Sequence, residues 1–155
     1  MNARERFERT RRSVARLNEV KLLIMYGCDD WRPAHIRAKT DKPDPTANEA
    51  MHRVDVLGEQ LDELKREESE LEQFIGVTLM IIAQVRAGFG EIYADVLEAR
   101  YIDNEKWPDI ADKYESNHEN REKVTVRTVQ NWAAVACDWV DSVGVSRLLN
   151  GEIEI

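Results

Sequence analysis

YADVLEARYIDNEKWPDIADKYESNHENREKVTVRTVQNWAAVACDWVDSV, running from Tyr93 to Val143, holds three short segments with helical apolar spacing. They are Val96, Leu97 and Tyr101; Trp107, Ile110, Ala111 and Tyr114; and Val129, Ala133, Ala136 and Val140. Spacings of three and four residues put each set on one face of a helix. Three short helices in succession, the last well capped by Thr125, predict a helix-turn-helix.

The third segment bears most on function. With Val129, Ala133, Ala136 and Val140 turned inward, a rotation of about 100° per residue turns Arg127, Asn131, Ala134 and Asp138 outward, flanked by Thr128 and Gln130. Arg, Asn, Gln and Thr carry the donors and acceptors that match base edges and phosphates in a major groove. Short polar side chains are equally common on the solvated face of a purely structural three-helix module. Spacing alone leaves both readings open.

The run VLEARYIDNEKWPDIADKY followed by TVRTVQNWAAVACDWV resembles region 4 of the sigma-70 family, with its helix ending in L..RY, its W..IA helix and its T..TV......A...V recognition helix. Preceded by two long helices, it looks like small phage and prophage proteins of Gram-positive bacteria, a group that includes late-operon transcriptional activators. The resemblance covers residues 14–143 and is specific from Leu97 to Val140. It implies an all-α, DNA-binding transcription regulator in the cytoplasm of a bacterial host. Thr125, Arg127, Thr128, Gln130 and Asn131 fall on the family's DNA-facing positions. One departure stands out. ESNHENREKV separates Tyr114 from Thr125, where a helix-turn-helix has a turn of about three or four residues. Either the second helix runs on past Tyr114, or a charged loop lies beside the recognition helix.

Upstream, a first helix is expected from Ala3 to Met25, with Phe7, Val14, Leu17, Val20, Leu23 and Ile24 as its apolar stripe. Arg4, Arg6, Arg9, Arg11, Arg12 and Arg16 crowd its first half. Such an arm can bind a phosphate backbone, or pair with acidic residues of the next helix. An irregular connection over 27–47 follows, punctuated by Gly27, Pro33, Pro43 and Pro45 and anchored by Trp31. A second long helix begins near Thr46. Val54, Leu57, Leu61, Leu64, Leu71, Ile75, Ile82 and Val85 alternate on its a and d positions, which reads as a coiled coil or a long antiparallel hairpin. Glu68 and Thr78 interrupt that seam, and a core Glu68 either meets an arginine, from the first helix, or marks a local break. The expected organisation is a helical module over 1–90, a helix-turn-helix domain over 91–145 and a tail over 146–155. The long apolar seam also predicts a homodimer.

Composition narrows the function classes. A chain of 155 residues, 43% hydrophobic and 34% charged, can bury a core in one or two domains. No apolar run approaches the roughly 20 residues of a membrane span. The start, MNARERFERTRRSVAR, lacks the apolar core of a secretory signal. Cys28 and Cys137 lie far apart without metal-ligand spacing, and fit reduced thiols in a cytosolic protein. His35 and His52 have no partner set. No Gly-rich phosphate loop, metal cluster or nucleophilic triad is legible, so no catalytic, cofactor or metal site is expected and the chain does not read as an enzyme.

Charge complicates DNA binding. The net charge is −8, but residues 1–42 carry 11 Lys and Arg against 6 Asp and Glu, whereas residues 94–145 carry 6 against 11. Phosphate contacts supply much of the affinity for DNA, so the domain needs help from dimerisation, from the basic arm or from RNA polymerase. Two functions stay open: a regulator that reads double-stranded DNA, or an interaction module that keeps the fold to grip RNA polymerase or a phage partner. Trp132 and Trp139, seven residues apart, widen the apolar side of the third helix. They suit either the chain's own upstream helices or such a partner.

Overall fold

The computed structural model describes residues 1–26, 47–116 and 124–150. Among these residues every regular element is a helix: α1 (Ala3–Tyr26), α2 (Ala47–Gly88), α3 (Glu91–Leu97), a π-helical turn (Glu98–Ile102), α4 (Trp107–Ser116), α5 (Val126–Val143) and α6 (Val145–Leu149). The fold is all-α. No helix in the described residues is long and apolar enough to cross a membrane. The connection with Cys28, Trp31 and His35 lies outside the described residues, as do the side chains of His52 and Val54.

Packing draws two compact units. One comprises Met1–Ala15 and Gln73–Ile155, the other Arg16–Glu72. α1 and α2 each run through both, whereas the sequence groups residues 1–90 together.

The first unit contains the main core. Ala3 and Phe7 from α1, Ile81, Ile82 and Val85 from α2, Val96 and Leu97 from α3, Ile110 from α4, and Val129, Ala133, Ala136 and Val140 from α5 are buried in one cluster. Phe7 stacks on Tyr101 at 5.4 Å between ring centroids. Within this cluster α5 packs against both α3 and α4. Thr78 is fully buried, and its hydroxyl meets that of Thr10 at 2.8 Å. Each hydroxyl also reaches the carbonyl four residues back, Thr10 to Arg6 at 2.8 Å and Thr78 to Phe74 at 3.2 Å, so the buried polar pair is satisfied whichever of the two donates to the other. Leu148, placed by the sequence in the tail over 146–155, is a fully buried core residue of α6. Gly144 makes that possible: at φ 91° it occupies backbone space that side-chain-bearing residues avoid, and it ends α5 sharply enough for α6 to fold back.

Polar contacts fix the joints between helices. At the end of α2, Arg86 reaches Asp95 at 2.6 Å and Glu98 at 3.1 Å, tying α2 to α3. The π-helical turn closes with the Asp103 amide donating to the Glu98 carbonyl at 3.0 Å. Asn104 then takes φ 56°, a left-handed conformation that asparagine tolerates better than most residues. α4 restarts with Pro108 in its first turn, where a missing amide hydrogen costs nothing, and with Asp109 favourably placed by the helix dipole.

In the second unit Arg16 is held by Glu67, with Nε donating to Oε1 at 2.6 Å and Nη2 to Oε2 at 3.1 Å. The acidic partner of the arginine is thus Glu67 and not Glu68. The pairing holds the Glu67 carboxyl below its usual range. Both side chains remain more than a third exposed (39% and 36%), so solvent screening keeps the contribution below about 1 kcal/mol. Lys21 meets Glu72 at 3.5 Å. Leu57, Leu61, Leu64 and Leu71 of the expected seam are only half-buried; full burial on that seam begins at Ile75.

Candidate nucleic-acid interface

α5 forms because its apolar residues recur at helical spacing and because Thr125 caps it. The Thr125 hydroxyl accepts from the Thr128 amide at 3.3 Å and lies 3.0 Å from the Thr128 hydroxyl. The inward set is buried as expected, together with Cys137. Burial, aided by Asp141 and Asp138, pushes the Cys137 thiol up to about 12, so it stays protonated and weakly nucleophilic near neutral pH.

The five residues singled out from sequence gather at the N-terminal end of α5. Thr125, Arg127, Gln130 and Asn131 are exposed and Thr128 is half-buried. Their duties differ. The threonine hydroxyls engage each other in the cap, whereas Arg127, Gln130 and Asn131 make no hydrogen bond or ion pair with other described residues. Ala134 and Asp138 continue the same outward face.

Gln130 and Asn131 also line a cleft of about 310 Å³, with Arg4 and Glu8 of α1, Tyr101 and Trp107 on its other walls. Trp107 is covered by Arg100, whose guanidinium carbon lies 4.6 Å from the ring centroid, and it meets Tyr101 edge-on at 6.3 Å. Burial pushes the Tyr101 phenol up to about 12. The start of α1 is pinned here by its backbone, since the Ala3 amide donates to Asp141 Oδ1 of α5 at 2.7 Å. Sequence reasoning found the arginines of α1 but not their position beside this face, because no local pattern reports a contact between residues 3 and 141.

Trp132 and Trp139 turn to different neighbours. Trp132 meets Tyr114 edge-on at 5.5 Å, while Trp139 stacks on Phe89 at 5.4 Å and closes on Gly88. Both therefore pack on the chain's own helices. α4 extends past Tyr114 to Ser116, and residues 117–123 of the charged insertion lie outside the described residues. No group of three or more His, Cys, Asp or Glu that could hold a metal ion occurs among the described residues. Compared with known protein families, curated proteins and solved structures, the chain matches none.

Proposed function

We propose that the protein is a DNA-binding transcription regulator of phage type, with α4 and α5 acting as a sigma-70 region 4-like helix-turn-helix and α5 entering the major groove. The observation that carries this reading is the outer face of α5: Arg127, Gln130 and Asn131 are exposed and uncommitted within the described residues, on a helix whose opposite face is fixed in the core. A rigid helix with free bidentate donors and acceptors suits direct readout of base edges. α1 and α2 serve as a helical hairpin or coiled-coil module. Leu79 and Met80, 40% and 53% exposed on the outer side of α2, support a homodimer through that module. The protein acts in the bacterial cytoplasm and performs no catalysis.

Arg127→Ala is expected to cost about 1–3 kcal/mol of binding to the preferred site and to relax sequence preference. Sequencing the genomic DNA recovered with the protein at moderate salt identifies that site. Equal binding of wild type and variant to every duplex would remove direct readout. The second reading, an interaction module for RNA polymerase or a phage partner, draws on the net charge of residues 94–145 and on Asp138 within the outward face. It predicts recovery of polymerase subunits without enriched DNA.

A further inference from the structure

Five arginines crowd the first fifteen residues, and the fold divides them. Arg6 and Arg9 lie over the Phe74 ring, 4.5 and 4.6 Å from its centroid, and serve the packing of α1 on α2. Arg4, Glu8 and Arg11 fall on another face of α1 by their four- and three-residue spacing. Arg4 is exposed and lines the cleft beside Gln130 and Asn131. Arg11 comes close enough to Arg100 for the like charge to lower the Arg100 pKa, second only to burial. Arg100 in turn covers Trp107, a wall of the same cleft. Arg4 and Glu8 line the cleft, Arg11 continues their face of α1 one turn on, and Arg100, with Nη1 donating to the Glu105 carbonyl at 3.1 Å, lies over the Trp107 wall. Neither Arg4 nor Arg11 has an ion pair or hydrogen bond among the described residues. Like charges gathered this way repel one another unless an anion answers them.

We propose that the rim of Arg4, Arg11 and Arg100 is a contact for the phosphate backbone of double-stranded DNA, so that α1 clamps the duplex whose groove receives α5. This rests on the major-groove reading of α5 and adds the α1 cations Arg4 and Arg11 to a C-terminal stretch in which acidic residues outnumber basic ones. The rim adjoins Gln130 and Asn131, and a helix seated in a major groove has sugar-phosphate strands on either side. Guanidinium groups match phosphate oxygens in bidentate geometry. The bond from the Ala3 amide to Asp141 fixes the start of α1 to α5, so Arg4 is held beside the reading face before DNA arrives.

Fluorescence anisotropy tests the clamp with two duplexes, one of random sequence and one recovered in the genomic pull-down, each titrated with salt between about 50 and 200 mM. Arg4→Gln and Arg11→Gln are each expected to flatten the slope of log affinity against log salt by about one, and the double variant by about two. Both duplexes weaken by the same factor and sequence preference survives. Arg11→Lys keeps the charge and restores the slope. Arg4 is exposed, so its variant keeps the wild-type melting temperature and carries the test should Arg11→Gln melt lower. A double variant that binds the duplex with an unchanged slope overturns the clamp and leaves the α5 reading standing. A wild-type protein that binds neither duplex at the lowest salt overturns the α5 reading, and the clamp with it.

Discussion

Gly76 and Gly88 stand on the same helix and answer substitution in opposite directions. A methyl group at Gly76 meets nothing within 4 Å, so Gly76→Ala removes only the entropic cost of a helical glycine. It is expected to raise unfolding free energy by about 0.5–1 kcal/mol, read from urea midpoints at constant slope. At Gly88 the same methyl group comes within 3.2 and 3.3 Å of the Trp139 ring. That ring cannot move away freely, because it is stacked on Phe89 with the two planes only 19° apart. Gly88→Ala should therefore destabilise by about 1 kcal/mol or more, as an overpacked contact does. An equal gain at both glycines would mean that Trp139 is loosely held.

The element that tests this packing most directly is α5. Trp139→Ala should cost about 3 kcal/mol, the low end for aromatic truncation because the ring is half-exposed. A thermal melt unchanged from wild type would show that the stack on Phe89 contributes nothing to stability. The inward stripe of α5, Val129, Ala133, Ala136 and Val140, was legible in the sequence because apolar periodicity reports burial directly. So were the Thr125 cap and the outward position of Arg127, Gln130 and Asn131, which follow from the same rotation. The partners of those elements were not legible. Arg16 meets Glu67 across 51 residues of chain and Thr10 meets Thr78 across 68, and helical spacing cannot choose between neighbours such as Glu67 and Glu68. The divergence of the two tryptophans has the same origin, since each ring follows whichever helix passes beside it. The reach of α5 to the start of α1 adds a further case: the Ala3 amide and Asp141 stand 138 residues apart.

At the scale of the whole molecule, one unit brings the arginines of residues 1–15 together with the acidic helices downstream, a juxtaposition that the net charge of −8 conceals. The same unit also buries two weak acids, Cys137 and Tyr101, and half-buries a third, Tyr114, and this makes global stability depend on alkaline pH. Cys137, Tyr101 and Tyr114 are each pushed up to about 12, in every case mainly by burial. In the unfolded chain a thiol titrates near 9 and a phenol near 10. The raised folded values mean that stability is fully present below about pH 9, where both states hold these protons. Above that pH the unfolded state loses protons first and is favoured, and stability falls as pH climbs toward 12. Each group contributes up to about 1.4 kcal/mol per pH unit while only its unfolded form is ionised. Urea titrations at a series of pH values in reducing buffer should show a flat profile to about pH 9 and a decline that steepens near 10, when the tyrosines join. Cys137→Ala should flatten the first part of that decline and leave the tyrosine part in place. A wild-type profile that stays level to about pH 11 would mean that these side chains ionise as freely in the folded protein as in the unfolded chain.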